Sequence, residues 1–274
     1  MIDILKNLSN DDAGTYYRLT EDAYFHLDPV TTPFMNLGIW PAKNILVAQH
    51  DLVREVLAFA ETSSAFRLGS KFTLLEIGPG WGGGQQVIRE RWPDVVYHGL
   101  NCSKRQIEYA QIITEGSQNT HFHLGFAEDL ESWPKVRIDM AIGIESVLHV
   151  TDKKLLYSRL RAHGVNQITL AEIVVEDQAV VNSNPLFRPS LRNTASLDQY
   201  KSDFIAAGFH DVSHVDISTR VFPGWAEALA AVEPGKFKGN SRILRQFCSS
   251  YSKIAALAES GKIKYVLINA GVNS

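Results

Sequence analysis

From Phe72 onward, short apolar runs alternate with amphipathic segments. Phe72–Ile77, Val95–Leu100, Thr120–Leu124, Ile138–Gly143 and Gln167–Ile173 have the length and apolar content of strands. Between them, Gln85–Arg91, Lys104–Thr114 and Lys153–Ala162 read as helices. Strands and helices in strict alternation predict a doubly wound parallel sheet. Further on, the pattern predicts a helix over Leu197–Ala207 and a strand over Gly208–Ile217. Thr219–Trp225 then leads into terminal helices, and Ile263–Ala270 reads as a last strand. Upstream, Leu46, Val47, Leu52, Val53, Val56, Leu57 and Ala60 fall at helical spacing, after an irregular stretch rich in Pro and aromatic residues. Residues 1–70 therefore read as a helical cap and residues 71–274 as the main domain. Residues 176–196 lack periodicity, as a lid or binding loop would.

The composition suits a soluble globular protein: 274 residues, 45% hydrophobic and 21% charged. A net charge of −3 gives no broad basic surface for nucleic acid. No apolar run approaches membrane-spanning length and no secretory signal is evident. Two cysteines, Cys102 and Cys248, cannot build a disulfide framework, so a reducing, cytoplasmic setting is expected. No C-x-x-C or H-E-x-x-H pattern points to a metal, and none is expected.

The chemistry gathers around Leu74-Leu75-Glu76-Ile77-Gly78-Pro79-Gly80-Trp81-Gly82-Gly83-Gly84, an apolar run entering a glycine cluster with a helix beyond it. Glycines let a turn adopt positive φ and admit a ligand close to the backbone. The helix N-terminus behind them offers unpaired N–H groups. Gly78, Gly80 and Gly83 fit the dinucleotide pattern G-x-G-x-x-G, whereas Glu76, Gly78, Gly80 and Gly82 spell E-x-G-x-G-x-G. Glu76 discriminates between them. A buried carboxylate repels a pyrophosphate and is stabilised by a cation. The stretch resembles motif I of class I S-adenosylmethionine-dependent methyltransferases.

That resemblance implies a Rossmann-like α/β fold of the seven-stranded methyltransferase type, with an N-terminal helical cap and a lid insert after strand five. It implies S-adenosyl-L-methionine as cofactor and S-adenosyl-L-homocysteine as product. Asn36-Leu37-Gly38-Ile39-Trp40 resembles the N-x-G-x-W segment that lies near the cofactor in small-molecule methyltransferases, with upstream aromatics such as Tyr24 closing over it. Asn101, Cys102 and Gln106 are the expected cofactor contacts after strand two, although an acid is usual where Asn101 stands. Phe126 and Ala127 are expected at the adenine, with Phe126 or Ile107 on its face and Glu128 as a further acceptor. Glu145-Ser146-Val147-Leu148-His149 resembles the E-S-x-x-H segment of the sterol, ubiquinone and sugar methyltransferase branch. Glu145 then frames the cofactor's amino acid end and His149 is a general base. Glu172, at the end of strand five, is expected to pair with the imidazole and raise its pKa. Phe187 and Arg188 of the insert are expected at the acceptor. The resemblance favours methylation of a small molecule, at a hydroxyl by preference, with a carbon acceptor second. Use of the fold for cyclisation without methyl transfer is third and NAD-dependent oxidation fourth. The expected partner is a small-molecule substrate, with no nucleic acid or membrane, and a homodimer is left open.

Overall fold

The computed structural model describes residues 33–66, 69, 71–183, 191–231 and 253–272. Its strands are β1 (Thr73–Ile77), β2 (Val96–Asn101), β3 (Thr120–Leu124), β4 (Met140–Ile144), β5 (Gln167–Val175), β6 (Asp211–Asp216) and β7 (Ile263–Gly271). Its helices are α1 (Ile45–Ala60), α2 (Gly83–Arg91), α3 (Lys104–Ile113), α4 (Lys153–Ala162), α5 (Gln178–Ser183), α6 (Leu197–Ala206) and α7 (Ser218–Ala230). One sheet runs β3-β2-β1-β4-β5-β7-β6. The first five strands pair in parallel, and β7 is antiparallel to both β5 and β6. The order reverses at β1, so the crevice between the carboxyl ends of β1 and β4 is the place where such sheets take ligands.

Period-two alternation decides which face each strand residue serves. Leu75 and Ile77 of β1, with Ile168, Leu170 and Val174 of β5, pack beneath α4 and α6 through Leu156, Leu160 and Phe204. On the other face, Leu74, Tyr97, Met140 and Ile142 pack against Val53, Leu57, Val87 and Ile88 of α1 and α2. That face continues over β5 and β7, where Ile173 and Leu267 meet Leu52 and Val56 of α1 and Val221, Phe222 and Trp225 of α7. Strand β5 is buried along its whole length, consistent with its near-continuous apolar sequence.

The elements follow the expected order, with instructive shifts. Helix α2 begins at Gly83 rather than Gln85, because the left-handed residues are Gly78, Gly80 and Gly82 while Gly83 and Gly84 are already helical. Strand β4 starts at Met140, two residues late, because Asp139 is bonded to the start of β1: its carboxylate accepts the Thr73 N–H at 2.9 Å. Gly208 at φ +93° ends the turn after α6, delaying β6 to Asp211. Thr219–Trp225 lies inside α7, and the insert carries the short helix α5. Helix α1 packs directly on the sheet, so the described part of the 1–70 segment shares the core of the main domain. No helix among the described residues is long and apolar enough to cross a membrane.

Candidate active site

Strand β1 gives way to the glycine turn at Gly78, whose N–H donates to Leu100 O at 2.8 Å. Gly78, Gly80 and Gly82 take φ of +70°, +56° and +88°, which L side chains rarely adopt. Space forbids side chains as well. A Cβ on Gly78 would stand 2.5 Å from Ser146 Cβ, and one on Gly82 would stand 2.7 Å from Ala110 Cβ. At Gly80 the nearest atom is instead the Met35 sulfur at 3.3 Å, the end of a flexible side chain. The turn is thus gripped on two sides and covered by an adaptable group on the third. Residues 33–37 lie across it, and Gly83 N–H donates to Pro33 O at 3.1 Å.

Glu76 shares Leu74's face of β1 and sits under the start of α2, where a Cβ on Gly84 would lie 3.0 Å from its Oε1. It is 4% exposed and accepts the Tyr97 hydroxyl at 2.5 Å. Burial pushes its pKa up to about 7, opposed by that hydrogen bond. Asn101, at the end of β2, donates from Nδ2 to Gln106 Oε1 at 2.6 Å and to Gly80 O at 3.4 Å. Gln106 in turn donates to the Met35 sulfur at 3.3 Å. Ser103 caps α3 by accepting Gln106 N–H, which seats Gln106 in the first turn. Cys102 is half-buried beside them.

Glu145 follows β4 with φ +52°, a strained conformation for this residue type. Its Oε1 accepts Leu37 N–H at 2.7 Å and the Tyr265 hydroxyl at 2.8 Å. Burial again lifts the carboxyl to about 7, with both hydrogen bonds opposing. The next residue, Ser146, donates to Ile77 O and tethers this loop to β1. Two acids, Glu76 and Glu145, therefore flank the glycine turn, each accepting a tyrosine hydroxyl from another strand, Tyr97 of β2 and Tyr265 of β7.

The expected Glu172–His149 pair is replaced by a different arrangement. Glu172 is fully buried on the α4/α6 face of β5. Its carboxylate accepts three backbone N–H groups, those of Ser146 (3.2 Å), Val147 (2.9 Å) and Leu148 (2.9 Å). It caps the 3-10 turn Val147–His149 rather than orienting the imidazole. Burial raises the Glu172 carboxyl, and the Lys153 charge and the three N–H groups resist the rise. His149 shifts the opposite way from expectation, down to about 3, through burial first and then the Lys153 and Arg192 charges. It is neutral across the physiological range and a weak base.

After β3, Phe126 is 56% exposed, whereas Ile107 is buried. Ala127 O accepts the Trp133 indole N–H at 3.1 Å, and Glu128 accepts Thr151 N–H at 3.1 Å. Trp40 lies against α7: its backbone N–H donates to Arg220 O at 2.7 Å, its indole N–H donates to Leu37 O at 3.1 Å, and the ring lies against Gly224. There it lines a surface cleft of about 680 Å³ with Arg54, Arg91 and Arg220. Tyr24, Phe187 and Arg188 lie outside the described residues. Met35, Tyr97, Lys153 and Tyr265 were not singled out by the sequence. Only Tyr97 carried a signal, two positions before Gly99, the register partner of Glu76.

No family model and no curated protein matches this chain. Solved structures do. The [4+2]-cyclase SpnF superposes with a TM-score of 0.75 at 18% identity, covering 97% of each chain. The cyclopropane synthase MmaA2 from Mycobacterium tuberculosis gives 0.75 at 16% identity over 96% of this chain and 98% of its own. Geranyl diphosphate C-methyltransferase from Streptomyces coelicolor A3(2), in complex with Mg2+, geranyl diphosphate and S-adenosyl-L-homocysteine, gives 0.68 at 17% over 96% and 97%. Sheet order, antiparallel β7 and these superpositions agree that the chain has the Rossmann-like fold of class I S-adenosylmethionine-dependent methyltransferases.

Proposed function

We propose that the chain binds S-adenosylmethionine over the Gly78–Gly82 turn and transfers its methyl group to a small organic acceptor, releasing S-adenosylhomocysteine. The observation that carries this reading is the pair of acids, buried Glu76 and half-buried Glu145, flanking a turn of left-handed glycines. A pyrophosphate would worsen their burial, whereas an ammonium and a sulfonium relieve it. This fit also disfavours NAD. When bound, the cofactor supplies an electrophilic methyl on sulfur.

The chain's own residues orient and shield. Glu76 and Glu145 provide negative charge on either side of the turn. Asn101 and Gln106 present amides to hydroxyl groups at the end of β2. The Met35 thioether over Gly80 yields more readily than backbone to an entering ligand. Phe126, Ala127 and Cys102 complete the proposed cofactor contacts. Tyr24, Trp40, Phe187 and Arg188 are proposed for the acceptor side, with residues preceding α1 as cap and 176–196 as lid. Holding acceptor and methyl in line is worth roughly 7–11 kcal/mol.

The sequence favoured a hydroxyl acceptor with His149 as base. A second reading gains support from the depressed His149 pKa: a carbon acceptor, which gives up its proton after the methyl arrives. Glu145, near neutrality beside the Tyr265 hydroxyl, suits that late proton transfer. The names of the superposed enzymes, a C-methyltransferase and a cyclopropane synthase among them, accord with it.

The test is incubation with S-adenosylmethionine labelled on its methyl group and an extract of the source organism. Label in a small molecule is expected, and its release as methyl iodide by hot hydriodic acid separates oxygen from carbon. Label in protein or RNA, or none despite cofactor binding, contradicts the proposal.

A further inference from the structure

Lys153, the first residue of α4, is 5% exposed, an unusual place for an ammonium. Its Nζ donates to Val150 O (2.8 Å), Leu148 O (3.4 Å) and Asn193 O. It also lies 5.8 Å from the centre of the Tyr200 ring. The three N–H donors of a lysine are thereby directed at three carbonyls.

Two of those carbonyls belong to the turn whose N–H groups Glu172 accepts. Residues 146–150 are therefore held at both ends: the carboxylate takes the N–H groups of 146–148, and the ammonium takes the carbonyls of 148 and 150. Each charge sits at the end where a helical turn's dipole favours it, negative at the start and positive at the finish. The third carbonyl, Asn193 O, ties in the C-terminal end of the 176–196 insert. Asn193 reinforces the tie by donating from Nδ2 to His149 O at 2.8 Å.

We infer that Lys153 is a positioning residue, which with Glu172 clamps the 146–150 turn and so fixes His149 and Glu145 against the glycine turn and the C-terminal end of the insert. The inference rests on the site proposed above, since that site gives the turn its importance. It reassigns Glu172 from a partner of the imidazole to a holder of the backbone beneath it.

The carbonyl end of the clamp works only while Lys153 is charged. Burial lowers the Lys153 pKa, and the charges of Glu172 on β5, Asp203 on α6 and Glu128 after β3 oppose that fall. His149, Arg192 and the buried hydroxyls of Tyr157 and Tyr200 complete the titratable surroundings. As pH rises through the Lys153 titration, the ammonium loses its proton and its charge, and the carbonyl end of the turn is released.

Hydrogen exchange of the full chain tests this in wild type, Lys153→Met and Glu172→Gln between pH 6 and 9, with rates corrected for the intrinsic effect of pH. The expected result in Lys153→Met is at least about tenfold faster exchange at residues 146–150, with β5 unchanged. Wild-type protection there should decline toward pH 9 while that of Lys153→Met stays flat. Unchanged exchange in Lys153→Met, or a loss spread evenly over the chain at every pH, would overturn the inference. Should Lys153→Met fail to fold, Glu172→Gln, which keeps the shape and one acceptor oxygen, is expected to loosen the same residues, and wild-type exchange there overturns it. Label transfer measured in parallel should fall at least about tenfold in kcat, with a smaller loss of cofactor affinity because the same segment carries Glu145. Undiminished kcat would also overturn it. Absence of transfer in wild type would remove the proposed function alone, leaving the clamp to the exchange data.

Discussion

Glu76 ties folding and ligand binding to one carboxylate. It titrates near 4.5 when free and near 7 in the folded chain, because burial outweighs the Tyr97 hydrogen bond. Between those pH values the folded protein holds a proton that the unfolded chain has released, so stability falls as pH rises. Glu76→Gln mimics the protonated form. It should stabilise the free protein by roughly 3 kcal/mol at pH 8, with the gain vanishing below about pH 4.5. Urea unfolding at several pH values measures this, and a loss of stability at pH 8 would mean that the carboxylate has a cationic partner already. His149 behaves in the reverse sense. Its folded pKa of about 3 lies below the ordinary 6.5. The unfolded chain therefore takes up a proton in acid that the folded one refuses, and stability falls as pH drops through that window.

At the level of elements, the β1–α2 turn is the piece whose backbone cannot be altered. Its three left-handed glycines are not equivalent, because what stands beside each differs. Gly78→Ala combines an unfavourable φ with a Cβ 2.5 Å from Ser146 Cβ, so Ser146 and the loop carrying Glu145 must move. It should destabilise by about 2 kcal/mol or more and weaken cofactor binding. Gly80→Ala suffers the same φ but meets only the Met35 sulfur, at 3.3 Å, and should be the milder of the two in thermal unfolding. The reverse ranking would mean that the β4 loop gives way more easily than residues 33–37. Neighbouring elements show the same dependence on surroundings. His98 and His123, on adjacent strands with ring nitrogens 2.9 Å apart, are both held below the ordinary imidazole range chiefly by burial.

Across the whole molecule, local sequence foretold the scaffold, because its signals are local. Apolar runs, helix-compatible segments and a glycine cluster gave the order of elements, and Glu76 near the end of β1 is the residue on which the proposal of a cation-binding turn rests. Contacts made across the fold were hidden. Tyr265 reaches Glu145 from 120 positions away, and the Lys153 ammonium meets a carbonyl 40 positions downstream. No periodicity records such meetings. Trp40 sits in a family-like segment, yet Gly224 of α7 leaves room for its indole on that side. Glu172 stands where a catalytic acid was expected, but strand parity turns it toward α4 and α6, where three backbone N–H groups engage it. Residue type was legible, but β5 runs on to Val175 and encloses Glu172, which the sequence had placed at the strand's end; the direction of a side chain depended on the completed sheet.

The central claim is that the two acids beside the glycine turn hold the cationic cofactor, and a calorimetric titration with S-adenosylmethionine at pH 6 tests it most directly. Glu76 and Glu145 are largely protonated there in the free protein, and a bound cation favours their ionised forms. Binding should therefore release protons, seen as a dependence of the measured heat on the ionisation enthalpy of the buffer, and Glu76→Gln should bind more weakly and release fewer. Absence of binding, binding of NAD in its place, or binding with no proton release would contradict the account.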